Sequence, residues 1–149
     1  MSLSSDAYLQ VNRAIFSLAN AYRSRMQREG RDTASGLNLA DRSMLMVLGQ
    51  HAPVAAAQLS QMMDINPGTI SVYVQRLVQK GLVERTQSEQ DRRTWRLALT
   101  PAGEAAAQET HHGAAAYTQQ FLSPLTDEQQ ANFHNLLLKV VHELGYDWI

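Results

Sequence analysis

The 149-residue chain has no cysteine. That excludes disulfides, thiolate metal ligands and thiol-based redox sensing. No apolar run approaches the ~18 residues of a membrane span, so no membrane partner is expected. The opening stretch MSLSSDAYLQ lacks the basic and apolar regions of a signal peptide, and the expected location is cytoplasmic. There is no Gly-x-Ser-x-Gly, phosphate loop or dinucleotide fingerprint; neither an enzyme nor a cofactor is expected. His111 and His112 are adjacent. Neighbours on a helix point about 100° apart, so they do not converge on one metal ion, and no metal site is assigned. Met44, Met46, Met62 and Met63 suit a core better than a ligand set. What remains is 44% hydrophobic and 18% charged, the composition of a folded domain rather than a disordered chain.

The net charge of −1 is unevenly divided. Residues 1–65 hold six Lys/Arg and five Asp/Glu, residues 66–100 six and three, and residues 101–149 one and six. The middle segment is therefore +3 and the last −5. Phosphate attraction acts locally, within a Debye length, so this segregation matters more than the total.

The basic segment is also the most informative. Asn66 is a good N-cap and Pro67 suits the first helical position. Ile70, Val74, Leu77 and Val78 form one apolar stripe at helical period. Gly81 closes the helix where a left-handed residue is wanted. Gly68, Val72, Gln75, Arg76 and Gln79 point away from the stripe, and Thr69, Ser71 and Tyr73 flank it. A helix with that small, polar outer face fits a major groove. A ribbon follows. Leu82–Thr86 reads as one strand. Trp95, Leu97 and Leu99 alternate with Arg96 and Ala98, so a second strand is expected to bury those three. Its tip carries Asp91-Arg92-Arg93, which suits phosphates or a minor groove.

Around this segment the pattern is helical. A first helix covers about residues 7–28, with Ile15, Leu18, Ala19, Tyr22 and Met26 on one face. Arg23, Arg25, Arg28 and Arg31 gather at its end. A second runs from about Asn38 to Gln50 and stops before Pro53. A third spans about Ala55–Met63. With the Asn66 helix it makes a helix-turn-helix. Thr100-Pro101 opens a fifth helix reaching about Phe121. Thr126 and Gln129 form a capping box for the last, whose apolar face is Phe133, Leu136, Leu137, Val140, Val141 and Leu144. The small head cannot cover the apolar faces of the first and last helices, and a homodimer would bury them.

The run Gly81-Leu82-Val83-Glu84-Arg85, then Asp91-x-Arg93, then Leu97-x-Leu99-Thr100-x-x-Gly103 resembles the MarR family of bacterial winged helix-turn-helix regulators. The resemblance covers essentially the whole chain. It implies an α+β, mainly helical fold in a single domain, residues 1–149. A winged head at about 38–100 is joined to dimerisation helices at about 7–30 and 101–149. It implies a homodimer on double-stranded DNA at an inverted repeat, acting as a repressor. It also implies a small aromatic or phenolic effector in a crevice, for which Tyr22, Met26, Arg42 and His51 are conceivable liners. By position, Val72 would meet a thymine methyl, and Ser71 and Gln75 base edges. Arg76 would take a guanine or a phosphate. Gly68 and Thr69 would meet a phosphate at the helix N-terminus. Arg92 and Arg93 would grip the minor groove, with Asp91 orienting Arg93. The wing departs from the commoner Asp-Pro-Arg-Asp-x-Arg, having Ser88-Glu89-Gln90 in the first three places, which implies a weaker phosphate grip. Two other classes stand beside this one. One is a winged-helix protein-interaction module without operator binding; the other is a metal-responsive regulator.

Overall fold

A computed structural model describes residues 3–32, 36–88 and 95–146, with only the backbone described at 29–32. The described chain has six helices and a two-stranded ribbon. The helices are α1 (Ser5–Asp32), α2 (Leu39–His51), α3 (Ala56–Met63), α4 (Pro67–Gln79), α5 (Pro101–Leu122) and α6 (Asp127–Glu143), with β1 (Val83–Gln87) and β2 (Trp95–Leu99) between α4 and α5. The residues divide into two compact units, Met1–Ser43 and Met44–Ile149.

The first unit is α1 and the opening of α2. Asn38 and Asp41 cap α2 reciprocally: the Asp41 N–H donates to Asn38 Oδ1 at 2.9 Å, and the Asn38 N–H donates to Asp41 Oδ2 at 3.2 Å. Of the stripe expected on α1, Met26 is buried, whereas Ile15, Leu18 and Tyr22 are exposed. The periodicity is real, but most of that face stays exposed among the described residues.

The second unit holds the rest of α2, then α3, α4, the ribbon, α5 and α6. Its core is Met44, Leu45, Val47 and Leu48 of α2, Leu59 of α3, Ile70, Val74 and Leu77 of α4, and Val83 and Leu97 of the ribbon. Fully burying each aliphatic side chain stabilises by about 1.5–3 kcal/mol before entropy is counted. The turn between α3 and α4 is fixed by local bonds. Asp64 takes the left-handed conformation (φ 50°). The Asp64 N–H donates to Gln61 O and the Ile65 N–H to Ser60 O, which closes α3 as a left-handed C-terminal cap. Buried Ser60 reinforces this by donating its hydroxyl to Ile65 O at 2.5 Å.

The ribbon is antiparallel, with Val83 opposite Leu99, Arg85 opposite Leu97 and Gln87 opposite Trp95. Val54 joins its outer edge by exchanging two backbone bonds with Leu97, of 2.8 and 3.1 Å. Arg96 Nη1 donates to Pro53 O at 3.2 Å, tying the same strand to the end of α2. One expectation fails here. Trp95 is 55% exposed while Leu97 is buried. Both lie on one face of the ribbon, but the core reaches only its base, and Trp95 is beyond it.

Gly103 explains how α5 meets the exit of α4. A Cβ there would lie 1.9 Å from Leu82 O, so any side chain forces the backbones apart. The approach is held by Thr100, whose hydroxyl donates to Gly81 O at 2.6 Å and accepts from the Gly103 N–H at 3.1 Å. Gly81 itself has φ +71°. The Gly81…Thr100-x-x-Gly103 pattern is thus one physical joint between the exit of α4 and α5.

Candidate nucleic-acid interface

Helix α4 is built to present one face. Asn66 Oδ1 accepts the Thr69 N–H at 2.9 Å, a cap that contributes about 1 kcal/mol. Ile70, Val74 and Leu77 turn fully inward. Val78, expected in the same stripe, is 37% exposed, because it lies at the stripe's edge, about 80° from Ile70 at 100° per residue. The opposite face carries Gly68, Ser71, Val72 and Gln75, all exposed. Val72 is the most protruding apolar group of the head, at 60% exposure.

Thr69 and Arg76 are half-buried. The Thr69 N–H is already bound to the cap, so a phosphate at this helix end would meet the hydroxyl of Thr69 and the N–H of Gly68 rather than the Thr69 amide. Arg76 carries its guanidinium over the Tyr73 ring, 5.1 Å from the centroid. Thr69, Tyr73, Arg76 and Lys80 recur at i, i+4, i+7 and i+11 and make one flank of the helix. Tyr73 and Lys80, not among the site residues expected from sequence, share this flank with Thr69 and Arg76. Asp91, Arg92 and Arg93 lie outside the described residues.

A model of the MarR family (MarR_2) matches residues 35–94, the stretch that contains α2 to β1. The transcriptional repressor MdtR of Bacillus subtilis is 29% identical over 112 residues, which cover 75% of this chain and 72% of that protein. Over residues 35–94 the chain is similar to the MarR family. Its fold is that of MarR structures. The DNA complex of Streptococcus pneumoniae FabT superposes with a TM-score of 0.81 at 23% identity, covering 93% of this chain and 97% of that one. A MarR family protein from Bacillus stearothermophilus gives 0.84 at 19% identity, with 97% and 99% covered. The chain thus has the winged helix-turn-helix fold of these structures and is similar in sequence to MarR-type transcriptional regulators. The relatives are regulators rather than enzymes.

Beside the MarR head is a cavity of about 560 Å³ between the end of α2, the ribbon and α5. Gly49, Thr86, Glu104, Gln108 and His111 line it together with apolar groups such as Leu48. A Cβ on Gly49 would lie 3.5 Å from His111 Nε2, so the imidazole lies close against α2. Tyr22, Met26, Arg42 and His51 do not line this cavity. It is assembled from three stretches distant in sequence, which periodicity does not connect. Among the described residues no group of three His, Asp or Glu could hold a metal ion. Among them, too, no helix is long and apolar enough to cross a membrane.

Proposed function

We propose that the protein represses transcription as a homodimer on an inverted-repeat operator. Helix α4 of each copy lies in the major groove of a half-site. Ser71 and Gln75 bond base edges, Val72 meets a thymine methyl, and Arg76 takes a guanine or a phosphate. Gly68 and Thr69 meet a phosphate at the helix N-terminus. Arg92 and Arg93, oriented by Asp91, grip the minor groove. The head at about 38–100 and the helices at about 7–30 and 101–149 divide reading from pairing. The observation that carries the reading is the polar, exposed outer face of α4 on a buried Ile70–Val74–Leu77 stripe.

Pairing is supported by α6, which buries no residue and exposes Leu136, Leu137, Val140 and its C-cap Leu144. A two-fold mate would cover them, and the second head then binds intramolecularly. Half-sites about one helical turn apart follow from that symmetry. A small aromatic or phenolic effector would modulate binding, and the cavity beside the ribbon and α5 is a candidate seat. Occupation there changes the spacing of the two heads and so their simultaneous engagement.

A second reading, a winged-helix module that binds another protein, is favoured by the exposed Val72 and the thinned wing. Selection from a pool of random duplexes separates the two. An enriched inverted repeat, with Arg93→Ala lowering the salt slope by about one per head, supports the operator reading. No enrichment, and binding that does not fall as salt rises, supports the module.

A further inference from the structure

We propose that Tyr73 is a positioning residue that holds Arg76 as an oriented reader of guanine, so that the pair sets base preference at one position of each half-site. This rests on the operator reading above. Its motive is the guanidinium of Arg76 held over the Tyr73 ring, 5.1 Å from the centroid. That is inside the ~6 Å range of a cation–π contact.

Arg76 lies on the flank of α4, about 40° from Val72 at 100° per residue. A long arginine at that angle reaches either the phosphates beside the groove or the bases at its floor. The two uses differ in what they need. A phosphate contact tolerates many guanidinium orientations. A bidentate contact to guanine O6 and N7 requires the plane of the fork to be set. An unsupported arginine loses up to about 2 kcal/mol of rotamer freedom on being fixed. A ring beneath the guanidinium fixes part of that freedom before DNA arrives.

Tyr73 is suited to this. It stands three residues before Arg76 on the same flank, the spacing at which helical side chains meet. It is half-buried, and its ring meets the cation.

The test is selection from random duplexes with wild type, Arg76→Ala, Tyr73→Phe and Tyr73→Leu, alongside binding to a non-specific duplex across salt. Arg76→Ala identifies the pair whose guanine preference depends on Arg76. At that pair Tyr73→Leu should weaken the preference about two- to fivefold per half-site. Non-specific affinity and salt slope should stay at wild-type values. Tyr73→Phe, which keeps the ring, should retain the preference. If Tyr73→Leu unfolds, Tyr73→Met fills similar space without an aromatic face and carries the same comparison. Guanine preference that survives in the ring-free variant overturns this proposal alone. So does an Arg76→Ala variant that loses affinity equally for all sequences, since Arg76 then holds a phosphate. A wild type that enriches no sequence overturns the operator reading, and the proposal with it.

Discussion

Helices α4 and α6 have similar local chemistry and opposite fates. Each starts at a side-chain cap, Asn66 for α4 and Thr126 for α6, with Thr126 and Gln129 bonding reciprocally at 3.3 and 3.0 Å. Each carries an apolar stripe at helical period. In α4 that stripe is Ile70, Val74 and Leu77, at 0–2% exposure. On α6 and its C-cap, Phe133 and Val141 are half-buried, whereas Leu136, Leu137, Val140 and Leu144 are 48–68% exposed. Period and caps decide that a helix forms and which side is apolar. They do not decide what covers that side. A cluster of four exposed aliphatic side chains on one helix is larger than scattered surface hydrophobicity and marks an interaction site. In the proposed function, reading accordingly falls to the helix whose apolar side is satisfied and pairing to the helix whose apolar side is not.

Charging the unsatisfied side should break the contrast most sharply. Leu136→Glu with Leu137→Glu leaves the head folded and halves the sedimenting mass. Operator affinity then falls about 10²–10⁴-fold, the advantage of a tethered second head. A variant that stays dimeric, or a monomer that binds the operator as tightly as wild type, would refute the division of labour.

Truncating the satisfied side should act through stability instead. Leu77→Ala removes a fully buried side chain and should cost about 2–5 kcal/mol in urea unfolding. Leu137→Ala, on the exposed side, should cost well under half of that at protein concentrations where dimer formation is excluded. Equal losses would mean that α6 is buried in the free chain after all.

The caps offer a smaller and more symmetrical test. Asn66→Ala and Thr126→Ala each remove one capping acceptor and should each destabilise by about 1 kcal/mol. Their functions should separate them. Asn66→Ala weakens DNA binding beyond its effect on folding, because it frees the start of the reading helix. Thr126→Ala shifts the monomer–dimer equilibrium. Interchange of those two phenotypes would reverse the comparison.

Most of the element order was legible in the sequence because it rests on local rules. Asn66-Pro67, Gly81, Thr100-Pro101 and the Thr126–Gln129 box mark helix ends by chemistry that operates within four residues, and the observed ends lie within a few residues of those expected. What failed was set by distance. Alternation in β2 placed Trp95 with Leu97, which is correct for the face and wrong for burial, because only the base of the ribbon meets the core. Val54 pairs with Leu97 over a single residue, too short for any period to announce. The cavity brings Gly49, Thr86 and His111 together from three separate stretches. On the reading face, the exposed set was legible as the complement of the buried stripe. The Tyr73–Arg76 contact was not, since it depends on rotamers as well as spacing.

The smallest expected effect falls on the residue at the centre of the reading face. Val72 is exposed and unsupported by the core, so Val72→Ala should change stability by less than about 0.5 kcal/mol. Its consequence should appear in sequence preference alone. Under the proposed operator reading the isopropyl group would meet a thymine methyl by apolar contact, and shortening it would withdraw that contact while leaving every charged group in place. Duplex selection should then show weaker thymine preference at one position in each half-site, with the salt slope unchanged because no phosphate contact is lost. A uniform loss across all sequences would place Val72 against the sugar–phosphate backbone. No change in preference, with full affinity retained, would leave the outer face of α4 reading through Ser71, Gln75 and Arg76 without it.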